Sequence, residues 1–320
     1  MMKVKSVIVN LNECDKLFKS VIKCITSKKH SIEEGILDVP VFNDGETSPN
    51  FKTSVRGKRI YILTSANTPL KREQLMLTID SAKRASACEI IPILPYMPYA
   101  RQDKKDQYRG PIGAKVIAES LEQRGASSII TFDLHANQIV GFFNIPVIHL
   151  KGKYLFYDYI LHNADENLVL CSPDAGGLKR VKKVRDLVYK RQPTVKLPFI
   201  SLDKTRPKAN EIGEIEVLGD VKDKDVIIID DMVDTFGTAD KSINALIDAG
   251  ALTVKIMATH GVLSGPAFDR INNNHNLTEL IISDSITHNK SNNKIKVIST
   301  SNMIVDAILS INDDSSINHL

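Results

Sequence analysis

Short runs of branched apolar residues recur along the chain, each closed by polar residues and followed by a stretch with apolar positions at helical spacing. Val226–Ile229 is the clearest such run. It is too short for a typical helix and suits a strand buried on both faces. Asp230 and Asp231 end it, and Met232-Val233-Asp234-Thr235-Phe236-Gly237-Thr238 follows. Ala239, Ile243, Leu246 and Ile247 then mark one face of a helix, with Gly250 placed to stop it. The same alternation predicts strands at Val4–Val9, Val39–Phe42, Arg59–Thr64, Glu89–Leu94 and Ser128–Phe132, with helices near Lys16–Thr26, Lys71–Ala87 and Ile112–Arg124. A second set of strands is predicted at Leu168–Cys171, Lys196–Ser201, Val254–Thr259, Glu279–Ile282 and Lys294–Ile298, with a short helix near Met303–Leu309. Strand–helix alternation implies an α/β fold of mainly parallel sheets flanked by helices. The two sets echo each other in layout, so two similar domains are expected, 1–152 and 153–320.

Length and composition agree. A chain of 320 residues with 42% hydrophobic and 25% charged residues suits two soluble domains, each able to bury a core. No apolar run reaches the roughly 18 residues of a membrane helix, and the first residues lack a signal-peptide core. No membrane partner and a cytoplasmic location are expected. Cys14, Cys24, Cys88 and Cys171 have no CxxC spacing and are expected as reduced core residues. The net charge of +4 is weak grounds for nucleic acid, which is not expected as a partner. The densest basic run, Lys179–Arg185, carries a stripe of Leu178, Val181, Val184 and Val188, so its charges are read as a solvated helix face.

In open α/β sheets ligands bind beyond the carboxyl ends of the strands, and the unusual residues of this chain collect there. The Thr/Gly turn at 234–238 and the following helix N-terminus can hold a phosphate, while the Asp230 and Asp231 carboxylates can accept from sugar hydroxyls. Strand alternation points those two carboxylates to opposite faces, so one is expected to hold sugar and the other to support the loop. Phe42 reads either as a base contact or as the last core residue of its strand. His135 reads either as a ligand contact or as a buried structural histidine.

These stretches, with Ser54-Val55-Arg56-Gly57, Pro98–Asp106, Asp133–Gln138, Ser172–Gly177, Lys204–Glu211 and Thr259–Ala267, resemble the ribose-phosphate diphosphokinase (PRPP synthetase) family from about residue 40 to about residue 305. The resemblance implies two phosphoribosyltransferase-like domains. It also implies transfer of the β,γ-diphosphoryl group of MgATP to the 1-hydroxyl of ribose 5-phosphate, giving phosphoribosyl diphosphate (PRPP) and AMP. Asp230, Asp231, Asp234, Thr235, Phe236, Gly237 and Thr238 match the ribose 5-phosphate site, and Asp174, Ala175, Gly176 and Gly177 the diphosphate turn. Phe42, Asp44 and Glu46 match an adenine loop that reaches a neighbouring subunit, implying a homo-oligomer with a shared adenine pocket. Arg101, Gln102, Asp103 and His135 match nucleotide contacts, His135 and Asp174 the Mg²⁺ side, and Lys204 and Arg206 a catalytic pair. Ser54, Arg56, Lys104, Lys105 and Arg109 match a regulatory phosphate or ADP site.

The chain departs from the family pattern at Asn10–Cys14, where small residues are usual, at Thr68–Thr78, and in the tail, where Ser315 and Ser316 match loosely. The alternatives are a catalytically silent regulatory subunit, which predicts losses among Arg101, His135, Asp174, Lys204 or Arg206, and a PRPP-consuming phosphoribosyltransferase. All five residues are present.

Overall fold

The computed structural model describes residues 4–11, 14–105, 107–204 and 215–317, and resolves into two compact units. One groups Met1–Leu150 with Asp284–Thr287 and Ser299–Leu320; the other groups Lys151–Ser283 with His288–Ile298. Among the described residues no helix is long and apolar enough to cross a membrane.

In the first unit the chain runs β1 (Ser6–Leu11), α1 (Asp15–Ser27), β2 (Glu33–Glu34), β3 (Leu37–Asp38), β4 (Asn50–Phe51), β5 (Arg59–Thr64), α2 (Pro69–Arg84), β6 (Glu89–Leu94), α3 (Gly113–Arg124), β7 (Ile129–Phe132), a 3₁₀ turn at Asn137–Phe142 and β8 (Val147–Leu150). The sheet order is β2-β1-β5-β6-β7-β8, and every described pairing is parallel. Every residue of β5 is buried, as a strand covered on both faces requires. Thr68 caps α2 by accepting from the Lys71 N–H, and Pro69 fills its first position, where no N–H is needed. Gly125, at φ 118°, ends α3 in the left-handed conformation that glycine adopts without strain.

In the second unit the order is α4 (Lys153–Asn163), β9 (Leu168–Ser172), α5 (Leu178–Arg191), β10 (Phe199–Lys204), β11 (Ile215–Leu218), β12 (Asp225–Val233), α6 (Gly237–Asp248), β13 (Thr253–Gly261), α7 (Ala267–Asn273), β14 (Leu277–Ser283) and β15 (Ile295–Ile298). Its sheet, β11-β10-β9-β12-β13-β14-β15, is parallel except for the antiparallel β10–β11 pair. Val226, Ile227, Ile228 and Ile229 are at most 3% exposed. Burial of each such side chain stabilises the fold by about 1.5–3 kcal/mol relative to exposure.

The last helix, α8 (Ser301–Asn312), corrects the expected division at 152/153, which left it in the second domain. It packs on α1, and its buried stripe of Ile304, Val305 and Ile308 completes the first unit's core. The Asn312 Oδ1 accepts from Ser6 Oγ (2.8 Å), Arg59 Nη1 (3.0 Å) and Tyr61 Oη (3.0 Å). Arg59, only 8% exposed, also forms a two-point pair with Glu89 at 2.9 and 2.7 Å. At the other end, the Asp284 Oδ1 accepts from the Thr300 N–H and hydroxyl, both at 2.8 Å. These fixed polar contacts draw Asp284 and α8 to the first unit.

The cysteines are free, but only Cys14 and Cys171 are buried; Cys24 is intermediate and Cys88 exposed, so the expectation of four core thiols is corrected. Cys88 precedes β6, where its backbone N–H bonds the Lys58 carbonyl and its side chain faces out.

Candidate functional site

In the second unit, β9 and β12 are parallel neighbours, so their carboxyl ends open at one edge of the sheet. The chain leaves β9 for β10 on one side, while β12 lies on the other, which makes this edge the topological switch point where open α/β sheets bind ligands. The two motifs read as a diphosphate turn and a sugar-phosphate loop follow these two strands.

After β9, Ser172 Oγ donates to the Asp174 carbonyl at 2.7 Å, and the Gly177 N–H donates to Asp174 Oδ1 at 2.9 Å. A Cβ on Gly177 would lie 2.6 Å from Ser172 Oγ and 3.4 Å from Pro173, so this tight turn needs glycine there. Ala175 and Gly176 are exposed at its crest.

At the end of β12, Asp231 is 3% exposed and the Asp230 side chain keeps 30% exposure. The expectation that the two carboxylates serve opposite faces is corrected. Asp230 Oδ1 folds back to accept from the Asp231 N–H at 2.8 Å, and one guanidinium spans both side chains. Arg180 Nη1 lies 3.1 Å from Asp230 Oδ1, and Nη2 lies 3.1 Å from Asp231 Oδ1. Burial first, and the neighbouring Asp231 carboxylate second, push the Asp230 carboxyl up to about 8, with Arg180 pulling the other way. The proton belongs to the pair as a unit, since adjacent carboxylates titrate together. Arg180 went unmarked in the sequence because it sits in the basic run read as a solvated face. Val181, Val184 and Val188 are indeed buried, but Arg180 turns toward the strand ends. The signal available was its place in the first turn of the helix after a glycine turn.

The loop that follows holds one strained residue. Phe236 has φ 64° and ψ 1°, a left-handed conformation costing about 1–3 kcal/mol outside glycine, and it is held there by a ring only 2% exposed in the core. Glycine at 237 answers a different need. Arg270 Nη1 donates to the Thr235 carbonyl at 2.9 Å, and a Cβ at 237 would stand 2.8 Å from that nitrogen. Ser264 Oγ donates to Asp234 Oδ1. Thr235 and Thr238 are exposed at the N-terminus of α6, whose amide groups and dipole favour an anion. Ser264 lies in the Thr259–Ala267 stretch but was given no role of its own, and Arg270 lies in α7, where no helix was expected.

Lys204 ends β10, with its backbone paired to Ile215. Arg206 and the rest of 205–214 lie outside the described residues, as does Asp106.

In the first unit, the Phe42–Thr47 stretch is a tight hairpin. The Phe42 N–H donates to the Glu46 carbonyl (2.8 Å), the Gly45 N–H to the Phe42 carbonyl (2.9 Å), and the Glu46 N–H to Asp44 Oδ1 (3.0 Å). Gly45, at φ 90°, makes the reversal. The strand expected at Val39–Phe42 is reduced to a single bridge between Val41 and Thr47. Phe42 is 52% exposed at this tip, so the core reading is excluded, and Asp44 and Glu46 are exposed beside it. β6 and β7 are also parallel neighbours, and the loops after them meet where Gln138 Nε2 donates to Asp103 Oδ2 at 3.5 Å. Arg101 and Gln102 are exposed, and Tyr99, at φ 59°, is held by Arg72 through its hydroxyl (3.2 Å) and its ring face (4.8 Å). His135 is exposed, so the buried structural reading is excluded, and the nearby His149 is the one that supports the turn, its Nε2 accepting from the Leu134 N–H at 2.8 Å. Ser54, Arg56, Lys104, Lys105 and Arg109 are all exposed.

Among the described residues no three His, Cys, Asp or Glu side chains come together as an ion cage. The partly exposed Asp174 carboxylate, at the turn after β9, is an oxygen donor of the kind Mg²⁺ takes beside waters and substrate phosphates; the imidazole of His135 suits phosphate oxygens better than this hard ion.

Comparison with known proteins agrees with this geometry. Residues 6–125 match the family model described as the N-terminal domain of ribose phosphate pyrophosphokinase, and residues 188–320 match the phosphoribosyl synthetase-associated domain. The ribose-phosphate pyrophosphokinase of Clostridium perfringens is 42% identical over 301 residues, covering 92% of each chain. Ribose-phosphate pyrophosphokinase 1 of Lactococcus lactis is 42% identical over 294 residues, covering 90% of this chain and 88% of its own. The crystal structure of phosphoribosylpyrophosphate synthetase from Mycobacterium smegmatis superposes with a TM-score of 0.86 at 34% identity, covering 97% of this chain and 100% of that one. The chain therefore belongs to the ribose-phosphate pyrophosphokinase family.

Proposed function

We propose that this protein makes PRPP for nucleotide biosynthesis, transferring the β,γ-diphosphoryl group of MgATP to the 1-hydroxyl of ribose 5-phosphate and releasing AMP. The observation that carries this reading is the pairing, on adjacent parallel strands of one unit, of an acidic pair and phosphate loop with a glycine-rich turn. A bond forms between the ribose O1 and the β-phosphorus, the bond from that phosphorus to the α,β-bridging oxygen breaks, and the hydroxyl proton is released. No protein nucleophile is needed, so the residues act by positioning and by charge.

Asp230 and Asp231 accept from the ribose 2- and 3-hydroxyls. Thr235 and Thr238, with the loop amides of Asp234, Phe236 and Gly237, hold the 5-phosphate. The Asp174-Ala175-Gly176-Gly177 turn receives the diphosphate. Arg101, Gln102, Asp103 and His135 contact the nucleotide, arginine's planar fork suiting polyphosphate oxygens. Asp174 would hold Mg²⁺, the resemblance adding His135 on the metal side, and the ion would supply charge neutralisation for the transferred diphosphoryl group. Lys204 and Arg206 add positive charge where it builds up in the transition state. Phe42, Asp44 and Glu46 serve the adenine of a neighbouring subunit, so the working form is a homo-oligomer in the cytoplasm. Ser54, Arg56, Lys104, Lys105 and Arg109 form a regulatory anion site, and a rate indifferent to added phosphate would remove it.

The deciding assay follows AMP released from ATP with and without ribose 5-phosphate and Mg²⁺. Ribose-dependent AMP without ADP is expected; ADP, or AMP formed without the sugar, would overturn the reaction. Phe42→Ala tests the adenine assignment. Its exposure predicts a stability change within about 0.5 kcal/mol, while loss of a stacking face is expected to raise the KM for ATP roughly tenfold. An unchanged ATP KM removes Phe42 from the base pocket.

A further inference from the structure

We propose that Arg180 is the positioning residue of the ribose site, its guanidinium setting the orientation of Asp230 and Asp231 together. The inference rests on the reading of that acidic pair as the acceptor of the ribose hydroxyls.

Three features of the molecule carry it. First, the contacts are divided: Nη1 takes Asp230 Oδ1 and Nη2 takes Asp231 Oδ1, each at 3.1 Å, so a single rigid plane fixes the spacing of two oxygens from different side chains. Alternation along a strand would otherwise send these side chains to opposite faces. Second, the backbone that carries the guanidinium is anchored. Arg180 lies in the first turn of α5, where its N–H bonds the Gly177 carbonyl at 2.8 Å, and Gly177 is itself held by Asp174 Oδ1 at 2.9 Å. Third, two adjacent carboxylates repel each other, and the cation facing both is Arg180, which opposes the effect of Asp231 on Asp230. Ion pairs of this depth contribute little net stability, because desolvation offsets the attraction. A cation fitted to both carboxylates is therefore better explained by the geometry it imposes.

The test compares Arg180→Ala, Arg180→Lys and Asp231→Asn in the intact protein. It reads kcat/KM for ribose 5-phosphate and for 2-deoxyribose 5-phosphate, together with the KM for ATP and Tm. Arg180→Ala is expected to lower kcat/KM for ribose 5-phosphate about tenfold or more. It should also bring the ribose-to-deoxyribose ratio toward unity and leave the KM for ATP within about twofold. Arg180→Lys restores a charge without the fork, so it is expected to recover Tm but not the ratio; recovery of the ratio by lysine would overturn the geometric role. If Asp231→Asn collapses the ratio while Arg180→Ala preserves it, the inference fails and the ribose site stands. If neither changes it, the sugar assignment of the pair itself is wrong. Should Arg180→Ala not fold, Arg180→Lys carries the comparison alone.

Discussion

Replacing Lys204 by alanine is expected to lower kcat by about 10²–10³-fold, the range seen when one preorganised group facing transition-state charge is removed. The affinity for ribose 5-phosphate should stay within about twofold. The reasoning is one of place and of timing. Lys204 closes β10, the strand beside β9 in the sheet, while the sugar-phosphate loop follows β12 on the other side of β9. A residue there is separated in the fold from the groups assigned to the sugar. Phosphoryl transfer with no covalent intermediate leaves charge stabilisation as the main task for the protein. A lysine acting on the transferred group increases its contact only as charge moves toward the leaving oxygen, so its loss lowers kcat and kcat/KM together. Steady-state kinetics with each substrate varied, set beside ribose 5-phosphate binding by calorimetry, separates the two quantities. A kcat near that of the unaltered protein would end the catalytic assignment.

Much of this site could be read from the sequence because its parts are local. β5 and β6 have the bounds expected, since each is a continuous apolar run ended by a change in polarity. The Asp174 turn and the Asp230–Thr238 loop lie in consecutive residues, and the parallel alternation places such segments at one sheet edge. What escaped depends on contacts between distant residues or on weak local patterns. β8 is mostly half-buried, β11 is four residues long with none fully buried, and α4 mixes tyrosines and charges with its apolar positions, so none carries a strong apolar signal. Arg180 is one cation among several in a basic run, and only the fold distinguishes it from its neighbours. The loop's backbone strain fell on Phe236 rather than on the glycine beside it. Burial of the ring decides that, and ring burial depends on residues far along the chain. α8 joined the first unit for the same reason, through Asn312 and the buried Arg59.

Asp230→Asn is expected to trade function for stability, and the trade should depend on pH. Ribose 5-phosphate binding should weaken by about tenfold or more, because the amide places an NH₂ donor where the carboxyl group offers its second oxygen to a sugar hydroxyl. The stability of the ligand-free protein should move the other way. In the fold the Asp230 carboxyl is raised from 3.8 to about 8, chiefly by burial and then by Asp231. Between those values the folded protein holds a proton that the unfolded chain releases, so stability falls as pH rises from about 4 to about 8. Above about 8 both states are ionised, and the penalty is complete and constant. Asparagine has no proton to lose, and Arg180 still meets Asp231. The variant's advantage should therefore be near zero at pH 4, grow through neutrality, and level off above pH 8. Each kcal/mol gained would appear as about 2–4 °C in Tm for a unit of this size. Tm measured from pH 4 to 9 for both proteins checks this, and parallel curves would show that the pair carries no such strain. The two halves of the prediction share one cause. Two carboxylates held side by side make a poor core but a good receptor for adjacent hydroxyls, and removing one should relax the fold by the same change that weakens the sugar site.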